Sequence, residues 1–85
     1  MAAAHGNGLA QLGLGTLYTN GTGVRQDLMR AHMWFNLAAA LSSGDSRDRA
    51  IKKRDRIALR MTAEQIAIAQ EMARRCRESR FKNCD

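Results

Sequence analysis

The chain has 85 residues, of which 45% are hydrophobic and none is proline, and this composition favours one small folded domain over a disordered segment. Its net charge is +6, and residues 45–85 carry most of it, with twelve basic against seven acidic side chains. Because no apolar run approaches the roughly 18 residues of a membrane span and the first residues lack a signal peptide's basic and apolar regions, we expect a cytosolic chain or a mature segment without its leader.

The first predicted helix runs from about Leu9 to Thr19, with Gly13 and Gly15 inside it and Gly8 directly before it. An interior glycine costs about 1 kcal/mol relative to alanine. We therefore expect these glycines to allow the close approach of a neighbouring backbone. A glycine-rich turn, residues 20–23, follows this helix, and its two glycines suit backbone conformations that are costly for residues with a Cβ.

The second predicted helix runs from about Asp27 to Leu41, and the carboxylate of Asp27 at its start is favourable to the helix dipole. Trp34 is the largest side chain of the protein and lies on the apolar face of this helix. We expect it to pack between the first two helices. The segment Ser42-Ser43-Gly44 should end the helix, with the glycine near its C-cap.

The third predicted helix runs from about Asp45 to Arg60 and has a narrow apolar face, with Arg54 close enough to that face to need a partner or an exposed tip. The opposite side carries a continuous stripe of basic side chains. We call these residues the basic stripe: Arg49, Lys52, Lys53, Arg56 and Arg60. The stripe is either a docking surface for an acidic partner or simply a solvated helix face.

The fourth predicted helix opens at Thr62, where Thr62 and Gln65 have the spacing of a capping box. Its apolar residues recur at helical spacing, and the helix should fray near Ser79. They are Ile66, Ala69, Met72, Ala73 and Cys76.

Landmarks in the first half of the chain resemble the Sel-one-like repeat, a relative of the tetratricopeptide repeat. The residues that carry the resemblance are Leu14, Gly15, Tyr18, Gly21, Gly23, Asp27, Ala31, Trp34, Ala38 and Ala39. The resemblance covers residues 6–44 and implies an all-α fold, a tetratricopeptide-like α-α superhelix fragment of about four antiparallel helices. Residues 45–85 resemble a C-terminal capping helix pair with a tail, and residues 2–6 the end of a preceding repeat. We expect residues 1–85 to form a single domain.

The resemblance also implies a function, that of a non-enzymatic scaffold or adaptor in a bacterial protein, with neither catalytic residues nor a cofactor. In a tetratricopeptide-like stack the first helix of each pair lines the concave face, which would let the basic stripe meet an acidic peptide. The alternative function is binding of nucleic acid or another anionic surface through the third helix.

The two cysteines, Cys76 and Cys84, would lie about 12 Å apart on an unbroken helix, and they can meet only if the chain turns after Ser79. They are therefore either bonded or two independent thiols. Cysteine-rich relatives of the repeat bridge the same spacing, so the resemblance implies a disulfide, an oxidising compartment and a periplasmic or secreted protein. With reduced cysteines the protein would be cytoplasmic.

Other chemistry has little support in the sequence. His5, His32 and the two cysteines lack metal-ligand spacing. The Gly21-Thr22-Gly23 segment lacks the lysine and preceding strand of a phosphate loop. Neither arrangement is expected to bind a ligand.

The last expectation concerns self-association. Leu9 and Leu12 on the first helix should lack a partner within the chain, and an exposed apolar strip normally marks an interface. We expect either a homodimer through this helix or a preceding repeat of a longer array that covers it.

Overall fold

The computed structural model describes residues 8–82 and Cys84, and it is all-helical over that part of the chain. Four helices follow one another: α1 (Gly8–Asn20), α2 (Leu28–Leu41), α3 (Gly44–Ala58) and α4 (Ala63–Glu78). The predicted all-α fold of four helices is confirmed. Within the described residues, no helix is both long enough and apolar enough to cross a membrane. The expectation for residues 2–6 lies outside the described part of the chain.

Helix α2 is the centre of the fold, because α1, α3 and α4 all pack against it. Its sequence explains this position. Apolar residues lie on every side of the helix, so eight of its residues are buried. They are Ala31, His32, Met33, Trp34, Phe35, Leu37, Ala38 and Ala39. Helices α3 and α4 are therefore held in place by the second helix of the repeat.

Apolar side chains form clusters on two sides of α2. On one side Trp34, with 4% of its surface exposed, packs with Ala73 and Cys76 of α4, and Leu14 and Tyr18 of α1 cover the cluster. The predicted position of Trp34 between the first two helices is confirmed, and α4 completes the enclosure. On the other side a second cluster joins α2 to α3. It contains Ala31, Phe35 and Ile57, with Leu12, Leu28 and Met61 at its margin.

Only part of the glycine prediction for α1 is correct. A Cβ built on Gly15 would lie 2.5 Å from the ring of Phe35, so glycine is needed there for α1 and α2 to approach. A Cβ on Gly8 would lie 2.5 Å from Oγ of Ser42. The prediction is wrong for Gly13, where a Cβ would meet nothing within 4 Å because this residue faces away from α2.

The turn between α1 and α2 is closed by backbone hydrogen bonds. The Gly21 amide donates to the Leu17 carbonyl at 2.8 Å with a φ of 70°, which is the left-handed conformation expected of a glycine after a helix. The Asp27 amide then donates to the Tyr18 carbonyl at 3.0 Å and brings the chain back along α1. Asp27 is the N-cap of α2, and its carboxylate accepts from the Arg30 amide at 3.1 Å.

Two helix boundaries differ from the sequence-based ones. Ser42, in extended conformation, is the C-cap of α2, and Gly44, with a φ of 58°, is the first residue of α3. Gly44 therefore begins a helix and does not end one. Helix α3 ends at Ala58, so Arg60 lies in the turn that follows and not on the helix.

The start of α4 is as predicted. Thr62 is its N-cap, its hydroxyl accepts from the Gln65 amide at 3.0 Å, and the Gln65 side chain accepts from the Thr62 amide at 2.9 Å. The two bonds form a complete capping box, which satisfies amides that have no partner within the helix. The turn from α3 into α4 is thereby fixed.

Candidate interaction surface

The basic stripe lies on the solvent-facing side of α3. Arg49, Lys52 and Arg56 are exposed, Lys53 is partly covered, and Arg60 is exposed in the following turn. Within the part of the chain that the structure describes, none of these five side chains takes part in a hydrogen bond or an ion pair. Their positive charges are therefore free to meet an anionic partner.

Acidic residues on the same helix make the positive charge uneven along the basic stripe. Asp45 and Asp48 are exposed on the first turn and a half of α3, each four residues before a member of the stripe. A carboxylate in that position weakens the field of the base four residues later. Lys53, Arg56 and Arg60 have no acidic residue four positions before them, so their charges are not offset in this way.

Arg54 has a structural role, which separates it from the stripe. Its guanidinium donates to Oδ1 of Asn36 at 3.1 Å, and to Oδ1 of its neighbour Asp55 at 3.1 Å. The bond to Asn36 joins α3 to α2, and 27% of the Arg54 side chain remains exposed. Of the two alternatives left open for Arg54, an exposed tip or a partner, the structure shows a partner.

His32 lies in the same region of α2, with 3% of its surface exposed, and its Nδ1 has no hydrogen-bond partner. Burial lowers the pKa of His32 below 6.5, the nearby Arg54 lowers it further, and Asp55 acts in the opposite direction. The imidazole is therefore kept neutral next to the Arg54 guanidinium. Its burial gives it a packing role in the core.

The landmark residues of the repeat are structural. Leu14 and Tyr18 pack against Trp34, Gly15 lies against Phe35, and three alanines of α2 are buried. These are Ala31, Ala38 and Ala39. Gly21 and Gly23 have φ values of 70° and 75° in the turn. The landmarks therefore build the α1–α2 hairpin and leave the outer surfaces for partners.

The outer face of α1 is apolar and uncharged. Leu9 has 78% of its surface exposed and Leu17 has 38%, with Gly13 between them facing open space. The expectation that Leu12 lacks a partner is wrong, because Leu12 packs against buried clusters of α2 and α3. Its side chain points towards α3 while that of Leu9 points to solvent.

The cysteines form a disulfide, Cys76–Cys84, with Cα atoms 4.4 Å apart. The alternative of two independent thiols is wrong, because the chain turns directly after α4 and brings Cys84 back to the helix. Both sulfur atoms are consumed by this bond, and neither is available as a thiolate ligand. Among the described residues, no three histidine, cysteine or acidic side chains are grouped to hold a metal ion.

Two features of the structure were not predicted from sequence patterns. Leu59, in the turn between α3 and α4, has 88% of its surface exposed. Phe81 packs against the cluster around Trp34 in a left-handed conformation, with a φ of 67°. A single leucine after a helix carries no periodic signal, and no glycine or asparagine marks the turn at Arg80 and Phe81.

Helices α1 and α2 form a hairpin in which glycines and alanines bring the two helices together, and α3 and α4 pack against α2. This arrangement is that of an α-helical repeat protein of the tetratricopeptide-like class. Residues 8–43 match the family model described as the Sel1 repeat. No curated protein and no solved structure gave a significant match to the chain.

Proposed function

We propose that this chain is a non-catalytic protein-interaction module and that the basic stripe is its docking surface for an acidic segment of a partner protein. One observation carries the proposal. The five bases are unpaired within the described residues, while α3 itself is fixed to the core through Ala50, Ile57 and the bond from Arg54 to Asn36. Charges on a rigid helix lose little conformational freedom when a partner binds.

The distribution of acidic groups favours a protein partner over nucleic acid. Asp45, Asp48 and Asp55 are exposed on the helix that carries the stripe, and each would repel a continuous row of phosphates. A protein segment of mixed charge can place its own bases near these carboxylates and its acids near Lys53 and Arg56. The alternative, nucleic acid or an anionic surface, is therefore expected to show only weak, non-specific binding.

A direct test compares a fluorescently labelled glutamate-rich helical peptide with a random DNA duplex of similar length and charge, at several salt concentrations. The double variant Lys53→Glu and Arg56→Glu should lose peptide binding by about tenfold or more, since like charges in an interface cost several kcal/mol. Arg75→Glu with Arg77→Glu makes the same change of net charge on α4 and should bind nearly as the parent does. Tight, sequence-selective DNA binding at physiological salt would overturn the proposal.

The uncharged face of α1 supports a second contact. We infer that Leu9 and Leu17 are covered in the assembled protein, either by a second copy of the chain or by a preceding repeat of a longer array. In a protein with a charge of +6, α1 is the helix without charged residues, so two copies can approach there with the least electrostatic repulsion. An isologous contact would pair the strip with itself.

Light scattering over a concentration series tests this contact. A homodimer should dissociate with Leu9→Glu, which affects an exposed side chain, whereas Leu12→Glu would also disturb the core. Leu59→Glu is the matched control, because Leu59 is also largely exposed but lies outside α1, in the turn between α3 and α4, and its substitution should leave the dimer intact. A monomer at all concentrations would rule out the second copy.

The disulfide is compatible with an oxidising compartment, and on this basis we propose that the chain belongs to a periplasmic or secreted bacterial protein. Alkylation of intact cells with a thiol reagent tests this. Protein that is alkylated at Cys76 and Cys84 before any reductant is added would instead indicate a cytoplasmic location.

A further inference from the structure

After α4 the chain reverses direction within a few residues. The Phe81 amide donates to the Cys76 carbonyl at 2.8 Å, and the Arg80 amide donates to the Arg77 carbonyl at 3.0 Å. This pair of bonds is the Schellman arrangement, whose left-handed position is usually a glycine. Here the position is Arg80, with a φ of 56°, and the next residue, Phe81, also has a positive φ of 67°. Two consecutive left-handed residues with side chains are unfavourable on their own.

Besides these backbone hydrogen bonds and those of the Ser79 side chain, two further interactions hold the C-terminal segment, which we define as residues 79–82 with Cys84. One is the covalent bond from Cys84 to Cys76. The other is the packing of Phe81 and Cys84 against the cluster that contains Trp34 and Ala73, with Met72 at its margin. The segment thus covers one side of the core between α2 and α4 in a conformation that its backbone does not favour.

We propose that the Cys76–Cys84 bond is a site of thiol–disulfide exchange with a dithiol reductant, and that its redox state decides whether the C-terminal segment covers this side of the core. The proposal goes beyond the interaction function and does not depend on it.

The burial of the two cysteines indicates the order of the reaction. Cys84 retains 9% of its surface exposed whereas Cys76 is fully buried. A thiolate of the dithiol attacks Sγ of Cys84, breaks the sulfur–sulfur bond and forms a mixed disulfide, and the sulfur of Cys76 leaves as a thiolate that takes up a proton. The second thiol of the reductant then attacks the mixed disulfide and releases Cys84. Two electrons and two protons pass to the protein, and the reductant becomes a cyclic disulfide.

Three basic residues lie between the two cysteines in the sequence. Arg77, Arg80 and Lys82 are exposed, and their side chains make no ion pair within the described residues. These cations attract an incoming thiolate and stabilise the thiolate that leaves. The nearby Arg74 does not contribute in the same way, because its guanidinium is bonded to Glu71 and Glu78.

Reduction should release the segment without unfolding the rest of the protein. Once the bond is broken, Arg80 and Phe81 can return to favourable backbone conformations, and Phe81 can leave the core. The cluster of Ala31, Phe35 and Ile57 on the other side of α2 does not include the segment, so the contact between α2 and α3 is retained. The reduced protein then exposes apolar surface around Met72 and Trp34.

The experiment compares the oxidised 85-residue chain with the same chain reduced by dithiothreitol. Hydrogen exchange of the Phe81 amide should accelerate by about tenfold or more on reduction, while amides of α2 keep their protection. Trp34 is the single tryptophan, so its emission reports directly on the uncovered side of the core and should shift to longer wavelength. Reoxidation should restore the slow exchange of the Phe81 amide and the original Trp34 emission. The variant Cys84→Ser should show the fast exchange and the shifted emission without any reductant.

Two charge variants test the reaction itself. Arg77→Glu with Lys82→Glu should slow the reaction with dithiothreitol several-fold. Arg25→Glu with Arg47→Glu makes the same charge change on other elements, the α1–α2 turn and α3, and should not. Unchanged protection of Phe81 in fully reduced protein would show that packing alone fixes the segment and would overturn the proposal. Loss of protection throughout α2 would also overturn it, because the bond would then stabilise the whole fold.

Discussion

The ring of Phe35 lies directly against the backbone of Gly15, where a Cβ would be only 2.5 Å from the ring atoms Cδ1 and Cε1. Phe35 itself has 2% of its surface exposed and packs with Ala31 and Ile57. The contact therefore joins α1 to the side of α2 that supports α3 and the basic stripe. The separation of these helices depends on the absence of a side chain at Gly15.

Gly15→Ala should destabilise the protein, because the Phe35 ring is enclosed and cannot move away from a new methyl group. We expect a loss of about 1–3 kcal/mol in the free energy of unfolding, measured by urea denaturation. Gly13→Ala is the matched control on the same helix. A Cβ there meets open space, so the substitution should stabilise the protein by up to about 1 kcal/mol through helix propensity alone. Equal effects at the two positions would contradict the close approach at Gly15.

This pair of glycines shows where sequence reasoning works and where it stops. The existence of α1, the turn and α2 could be predicted, because apolar periodicity, Asp27 as N-cap and the turn glycines are local signals. Which face of α1 meets α2 is a property of packing, and the sequence does not distinguish Gly13 from Gly15. The same limit applies to Leu9 and Leu12, of which one faces solvent and the other faces α3.

The candidate surface was predictable to a similar degree. The basic stripe was predicted from the helical spacing of its residues. The structure exposes Arg49, Lys52 and Arg56 on α3, but Lys53 is partly covered and Arg60 lies in the turn after the helix. The role of Arg54 was open, because a guanidinium beside an apolar face can either reach solvent or find a partner, and Asn36 is 18 residues away in sequence. The backbone conformation of Arg80 and Phe81 could not be predicted for a different reason. Tertiary contacts and a disulfide impose backbone angles that these residue types do not favour.

Burial of neutral His32 should make stability depend on pH. Its pKa is lowered in the folded protein, mainly by burial and also by Arg54, so the unfolded chain binds the proton more readily. Its contribution to stability should therefore be complete above pH 6.5 and decline as the pH falls from there through the lowered pKa of the folded state. Glu71, whose pKa is lowered by Arg74, loses its contribution only below its ordinary pKa of 4.5, in a separate range.

Urea denaturation between pH 7 and pH 5 measures this dependence. The variant His32→Asn should flatten the curve over that range, although it also lowers stability at every pH by changing a buried side chain. A parent curve that is already flat in this range would contradict a lowered pKa at His32.

Thr62→Ala should remove half of the capping box at the start of α4. The Gln65 amide would lose the hydroxyl that accepts from it at 3.0 Å, and the expected cost is about 1 kcal/mol in the free energy of unfolding. Thr22→Ala in the first turn is the control, since the Thr22 side chain is exposed and makes no hydrogen bond in the described structure. An equal cost at both positions would show that the cap contributes nothing beyond the loss of a threonine.

Arg80→Gly should stabilise the protein, which is unusual for the removal of a side chain. Arg80 is in the left-handed position after α4, with a φ of 56°, and a residue with a Cβ pays about 1 kcal/mol or more for that conformation while glycine does not. Glycine is also more flexible in the unfolded chain, which offsets part of the gain, so the net increase in unfolding free energy should be about 0.5–1 kcal/mol. Lys82→Gly is the control, because the φ of Lys82 is not positive and glycine relieves no strain there. This variant should only make the unfolded chain more flexible and so lower the free energy of unfolding. The gain at Arg80 should persist in oxidised protein at high salt, since the cause is conformational. A gain that disappears with salt would instead point to relief of repulsion among Arg77, Arg80 and Lys82.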